Sequence, residues 1–305
     1  MKLCHWRGDV PNFGDELNLW LWPRLLPNFF DGDPRELFIG IGSVLFDSYP
    51  QAATKVVCGA GYGGYTAPPR MDETWDVYFV RGPRTAKLLG IDPQRGLGDA
   101  ATLLRHVWPD LPAPDERCAV GFMPHWESAL WGAWETVCAE AGFRFIDPRW
   151  PVERVLAAIR GCNVLVTEAM HGAIVADALR VPWIPFLPLP VNRMKWFDWA
   201  ESQGLELQFQ HSARSTWLEL ASLALPDRPW LQSRLRRGIP TRLIGSRLLR
   251  SRASAALRAA AAARTYLTLD RAIKATTNAM QTRVEQMRSR YATTGSFVSA
   301  AGNRT

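Results

Sequence analysis

Apolar positions in the first 110 residues fall in short runs separated by helical patterns and glycines. Lys2–Trp6 reads as a strand. A glycine-bearing loop then leads into a helix opening near Asp15, which carries Leu17, Leu21 and Leu25 on one face. Leu37–Ile41 and Lys55–Cys58 read as short buried strands that run into glycines: Gly40 and Gly42 after the first, Gly59, Gly61, Gly63 and Gly64 after the second. Asp76–Val80 predicts another strand, and Pro83–Leu89 a helix stopped by Gly90. Such alternation implies a parallel sheet covered by helices.

Around Leu111–Asp115 (Leu-Pro-Ala-Pro-Asp) the chain reads as a linker, after which the pattern restarts. Strands are predicted at Cys118–Met123, Arg144–Ile146, Asn163–Val166 and Trp183–Phe186. Helices are predicted at Glu127–Ala141, with Trp131, Trp134 and Cys138 along one stripe, and at Val152–Arg160 and Gly172–Arg180. The fold class that follows is α/β: two Rossmann-like domains, 1–112 and 113–225, facing each other across a cleft. In such sheets ligands sit beyond the carboxyl ends of the strands.

From about Pro226 the composition changes. Residues 226–305 hold 16 Arg and Lys against three acids, whereas residues 1–225 hold 20 basic and 26 acidic residues. The overall charge of +7 therefore reports on this last region and not on the two α/β units. Arg242–Met287, with its run Ala259–Ala263, favours helix but offers few bulky apolar side chains for a core of its own. It reads as a basic helical tail, and Ala292–Thr305 as a disordered end. Contact of this tail with an anionic membrane face is one expectation, and a solvated or partner-binding helix is the other. Five scattered cysteines without a Cys-x-x-Cys pair argue against a disulfide framework and against zinc. Met1–Trp6 lacks a signal-peptide pattern, and no stretch approaches the about 20 apolar residues of a membrane span. The expected location is cytoplasmic, with peripheral contact at the inner membrane face through the tail.

The residues with chemistry fall at predicted strand ends. Thr167-Glu168-Ala169-Met170-His171-Gly172 carries a strand into a helix, where unpaired N–H groups favour anions and a histidine can donate to phosphate or move a proton. Glu168 is a second acid in the same turn. Asn12-Phe13-Gly14-Asp15 places a glycine and an acid at a helix start, where Asp15 either caps the helix or does chemistry. Gly40-Ile41-Gly42-Ser43 is a Gly-x-Gly without the rest of a dinucleotide fingerprint. Val80-Arg81-Gly82-Pro83-Arg84-Thr85 sets two guanidinium groups at a helix mouth, suited to carboxylate or phosphate. Arg193 and Lys195 enter a helix after the last strand, and Gly98-Asp99-Ala100-Ala101 closes the first domain. Fourteen Trp supply flat faces that fill cores or stack on sugars, with Trp126, Trp131, Trp196 and Trp199 nearest the motifs.

Asn-x-Gly-Asp, Gly-x-Gly-Ser, Val-Arg-Gly-x-x-Thr, Gly-Asp-x-Ala and Thr-Glu-x-x-His-Gly-x-x-x-x-Asp-Ala-Leu occur in that order over Met1–Trp199. Together they resemble the polysaccharide pyruvyl transferase family, in particular its succinoglycan-type ketalase branch. The resemblance implies a GT-B-like fold, phosphoenolpyruvate as donor, a sugar acceptor that is free or lipid-linked, and no metal or further cofactor. It implies Arg81, His171 and Arg193 or Lys195 around the donor. From their own positions and chemistry, His171, Asp15 and Glu168 are the candidate catalytic groups, and Arg81, Arg84, Arg193, Lys195, Gly14, Gly42 and Gly172 the candidate substrate-binding ones. One departure is Ala169, where many members carry an arginine two residues before the histidine. The alternatives are a GT-B glycosyltransferase using a nucleotide sugar and a non-enzymatic scaffold whose basic tail binds membrane or nucleic acid; nucleic acid is the less expected partner.

Overall fold

The computed structural model describes residues 1–187, 193–224 and 247–298. Two parallel sheets organise it. The first joins β1 (Lys2–Cys4), β2 (Glu36–Ile39), β3 (Thr54–Cys58) and β4 (Trp75–Phe79) in sequence order. The second joins β5 (Cys118–Met123), β6 (Arg144–Phe145), β7 (Cys162–Thr167), β8 (Trp183–Leu187) and β9 (Gln210–His211) in the order β6-β5-β7-β8-β9.

The first unit departs from strict strand–helix alternation. Helix α1 (Phe13–Leu25) follows β1, but Gly40–Ala53 and Gly59–Thr74 connect their strands as loops. After β4 come α2 (Pro83–Leu88) and a 3-10 segment, Ala100–Asp110. In the second unit the predicted helix Glu127–Ala141 is two helices, α3 (Trp126–Trp131) and α4 (Trp134–Ala141). They break at Gly132, where a Cβ would lie 2.4 Å from Trp134 Cδ1. Trp134 and Cys138 are buried as their shared stripe predicts. α5 (Val152–Arg160), α6 (Met170–Ala178), α7 (Met194–Ser202) and α8 (Trp217–Ala224) complete the second unit.

The presumed hinge is anchored. Asp115 N–H donates to Ala157 O at 3.0 Å, and Arg144 holds the Asp115 carboxylate at 2.5 Å. One apolar cluster runs through both units, from Phe13, Leu17 and Phe38 to Leu165, Ile174 and Trp183. Sharing a core in this way fixes the two sheets against each other.

Residues 247–298 of the basic C-terminal region are a strap packed into both cores, which corrects the expectation of a tail apart from them; residues 226–246 lie outside the described residues. α9 (Arg247–Ala261) packs on α4 and the second sheet. Its Ala253, Leu257 and Ala260 join Phe122, Trp134 and Phe186. Tyr266 then pairs antiparallel with Trp183 through two backbone hydrogen bonds of 3.1 and 2.7 Å. α10 (Asp270–Val298) starts near Arg180, which holds Asp270 at 2.8 Å. It buries Met280, Val284 and Met287 in the shared core, and its Tyr291 hydroxyl donates to Asp76 in β4 at 2.9 Å. Alanine needs little area to bury a helix face closely, so sparse bulky residues did not prevent packing. Residues 299–305, within the stretch expected to be disordered, lie outside the described residues. Among the described residues no helix is long and apolar enough to cross a membrane.

Candidate active site

Beyond the carboxyl ends of both sheets lies a cavity of about 520 Å3. This is where ligands gather in parallel α/β sheets. β7 ends at Thr167, whose hydroxyl accepts from Ala169 N–H at 3.0 Å and tightens the turn into α6. That turn delivers His171 to the cavity wall. Gly14, in the first turn of α1, lies directly against the imidazole: a Cβ there would sit 1.9 Å from His171 Nδ1. Only glycine lets the start of α1 approach so closely.

The other imidazole nitrogen, Nε2, faces Asp99 Oδ2 at 3.6 Å. Both atoms are buried and neither has a hydrogen-bond partner among the described residues. Asp99 caps the 3-10 segment, its Oδ1 accepting from Ala101 N–H at 2.9 Å. A fully buried carboxylate thus stands behind the histidine, in the position that fixes tautomer and ring orientation in acid–base dyads.

Asp15 lines the same cavity, and Asn12 Nδ2 donates to its Oδ2 at 2.7 Å. Burial raises its pKa, although Asn12 and the charge of His171 oppose the shift. Lys195 is the one lysine or arginine on the wall among the described residues. Burial, with Arg81 nearby, lowers its ammonium to about 8. His125, two residues past the end of β5, also faces the cavity. Burial and then Lys195 lower its pKa, so its imidazole is neutral at pH 7.

Arg81 is placed elsewhere. It is fully buried, with Nε donating to Asp198 Oδ2 at 3.0 Å, Nη1 to Ser43 Oγ at 2.7 Å and Nη2 to Tyr62 O at 2.7 Å. Its fork is filled by protein groups, which corrects its reading as a direct anion ligand. Asp198 also accepts from Thr85 Oγ1 at 2.5 Å and Thr85 N–H at 2.9 Å. The Val-Arg-Gly-x-x-Thr motif is therefore a clasp for α7, the helix that carries Lys195. Gly82 serves the same contact, since a Cβ there would lie 1.9 Å from Asp198 O. Arg84 reinforces the clasp by holding Glu201 at 2.5 Å, and does not line the cavity.

Three further expectations are corrected by placement. Arg193 lies over Phe209, 5.4 Å from the ring centroid, and does not line the cavity. Glu168 is buried behind His125, accepting from its N–H at 3.1 Å, with burial and then Glu219 raising its pKa to about 7. Gly42 (φ +119°) and Gly172 do not line the wall; a Cβ at Gly172 would meet Thr167 Oγ1 at 2.7 Å. Of the proposed sugar platforms, Trp126 is on the wall, whereas Trp131, Trp196 and Trp199 are core residues. The sequence reading missed His125, Asp99 as a partner of His171, and the wall residues Trp6 and Tyr65. The signal for His125 was available: Met123-Pro124-His125 leaves β5 as Thr167–His171 leaves β7.

The family described as polysaccharide pyruvyl transferase matches residues 12–188, more than half of the chain. A curated relative, succinoglycan biosynthesis protein ExoV of Rhizobium meliloti (strain 1021), is 41% identical over 208 residues. That match covers 67% of this chain and 66% of the relative, so the chain spans just under two thirds of the relative's length. No solved structure matches. Residues 12–188 contain the His171 turn, the Asp15 turn and Arg81, and the chain belongs to the polysaccharide pyruvyl transferase family.

Proposed function

We propose that this protein transfers a pyruvyl group from phosphoenolpyruvate to a sugar of a polysaccharide and closes it into a cyclic ketal. We read the two parallel sheets as Rossmann-like halves in a GT-B-like arrangement, with the strap holding them together. The observation that carries the reading is the convergence of His171, Asp15 and Lys195 on one cavity, the first two within residues 12–188 that the family matches.

The chemistry needs an anion site, an acid and a base. Lys195 meets the charge of the donor's phosphate or carboxylate at neutral pH, where its ammonium remains mostly protonated. His171, backed by Asp99, gives a proton to the methylene carbon. Asp15, its pKa raised by burial, takes the proton of the first attacking hydroxyl. A C–O bond forms at the central carbon, the bond from that carbon to the phosphate oxygen breaks, and a second hydroxyl of the same sugar closes the ring. One hydroxyl proton ends in the new methyl group and the other on phosphate, so the donor's charge leaves as one carboxylate and one hydrogen phosphate.

Thermal denaturation with phosphoenolpyruvate or uridine diphosphate tests the donor. A ligand at about 100 times its Kd stabilises by about 2.7 kcal/mol. Stabilisation by phosphoenolpyruvate, together with acceptor-dependent phosphate release that is lost in His171→Ala, is the expected result. Stabilisation by the nucleotide alone would replace this reading with a glycosyltransferase.

A further inference from the structure

The cavity wall carries two chemically different sets of groups. His171 and Lys195 are largely covered, whereas Trp6 and Tyr65, on the same wall, are 56% and 64% exposed. Trp6 leaves β1 and rests edge-on against Phe46, ring centroids 6.0 Å apart. Tyr65 is folded over the Gly59–Thr74 loop, where a Cβ at Gly63 would lie 2.5 Å from its Cε2 and 2.7 Å from Ser43 Cβ. Glycine at 63 is what allows the phenol ring to lie there. Large aromatic rings left open beside a cavity mark a surface that is covered when a ligand arrives.

The polar groups around these rings select the ligand. Ser48 and Thr66 supply hydroxyls, and Asp15 and Glu127 supply carboxylates. Asn12 engages Asp15 Oδ2, and Asp15 Oδ1 has no hydrogen bond to another side chain among those described. An aromatic pair alone would also accept a nucleobase. A nucleotide brings phosphates, however, and these would need Lys195, the one lysine or arginine on the wall among the described residues, which the donor already takes in the proposed reaction. The combination of apolar faces with hydroxyl and carboxylate acceptors suits an uncharged ring that has C–H faces and hydroxyl edges.

We propose that Trp6 and Tyr65 form the acceptor subsite, where a pyranose ring lies with its C–H face on the aromatic pair and its reacting hydroxyls toward Asp15. This rests on the pyruvyl-transfer reading for the identity of the reaction. It adds the residues that select the acceptor. Donor and acceptor then share one cavity, the acceptor against the exposed aromatic rings and the donor at Lys195, with Asp15 and His171 on the same wall.

Saturation-transfer NMR on the full chain tests it, with methyl β-D-glucopyranoside and methyl β-D-galactopyranoside as probes. At least one glycoside should receive saturation at its ring C–H protons. The transfer should fall by about fivefold or more in Trp6→Ala and in Tyr65→Ala, the loss expected when about 1 kcal/mol of aromatic contact is removed. Trp6→Phe should retain most of it. Thermal stabilisation by phosphoenolpyruvate should persist in all three variants, which also shows that they are folded. Undiminished transfer in both alanine variants, or no transfer from either glycoside in the unmodified protein, overturns the subsite. Glycoside binding without any effect of phosphoenolpyruvate would instead overturn the donor assignment and leave the subsite standing.

Discussion

Arg81→Ala separates a clasp from a donor ligand. The Arg81–Asp198 pair has no exposed side-chain surface on either partner and a contact of 3.0 Å. Removing one member of such a pair leaves the other charge buried and uncompensated, at a cost of about 3–5 kcal/mol. Removing both, as in Arg81→Met with Asp198→Leu, relieves the stranded charge. It still leaves the Thr85 N–H and hydroxyl without their acceptor, so a deficit of about 1–3 kcal/mol remains. The single variant is therefore expected to be less stable than the double. Urea unfolding followed by tryptophan fluorescence measures this directly, since the chain carries 14 tryptophans. Donor binding should weaken in both variants, because Asp198 lies one helical turn from Lys195 on α7 and holds that helix against the first sheet. Arg81→Ala with an unchanged urea midpoint and a raised KM for phosphoenolpyruvate would refute the clasp and restore Arg81 as a direct ligand.

Two other predictions concern the acid–base groups. In the proposed reaction Lys195 binds the donor as a cation, and its charge is lost as pH rises through about 8, so KM for phosphoenolpyruvate should climb above that pH, toward about tenfold per unit. Lys195→Arg keeps its charge and should flatten this limb; an equally steep limb in that variant would remove Lys195 from the donor site. Asp99→Asn keeps the cap on Ala101 N–H but removes the charge behind His171. A fall in kcat of about 10²-fold or more is expected, with donor KM little changed and the pH profile displaced. Full kcat in Asp99→Asn would show that the carboxylate does not assist the imidazole.

The sheets and the core of the site were legible in the sequence because parallel α/β architecture ties chemistry to strand ends. His171, Asp15 and Gly14 each stand just past a predicted strand or at the start of the helix that follows it. The cavity gathers all three. Arg81 obeys the same rule and was nonetheless misread. Its partner Asp198 lies 117 residues away, and nothing local shows that a guanidinium fork will be filled by the protein itself. The sequence offered Arg193 and Lys195 as equals, but helical phase separates them: Lys195 faces the wall while Arg193 turns to Phe209. The strap was hidden for a different reason. The packing residues of α9 are largely alanines, which a search for bulky apolar stripes passes over, and its arginines suggested solvent while Arg258 Nη1 donates to Glu140 O at 2.9 Å.

In the proposed reaction, the distribution of charge would let one fold hold a highly anionic donor and still activate a hydroxyl. Arg81 and Arg84, the cations predicted to bind directly, are each engaged by a carboxylate of α7, Asp198 and Glu201. Among the described residues, the fixed cation left on the wall is Lys195, beside the neutral His125 and the Asp15 carboxylate. A wall crowded with arginines would lower the pKa of Asp15 and leave it too weak a base at neutral pH. Keeping the arginines one layer back preserves the basicity of Asp15 and uses their charge to place α7. Burial, and then Arg81 from that layer, lowers the pKa of Lys195 to about 8, so in the proposed reaction donor capture depends on a group that titrates near neutral pH. Ser43 links the two layers, since its hydroxyl lines the cavity while accepting from Arg81. A displacement of the clasp is thereby transmitted to the wall on both sides, through Lys195 on one unit and Ser43 on the other. The geometry of the reaction thus depends on a buried ion pair that touches neither substrate.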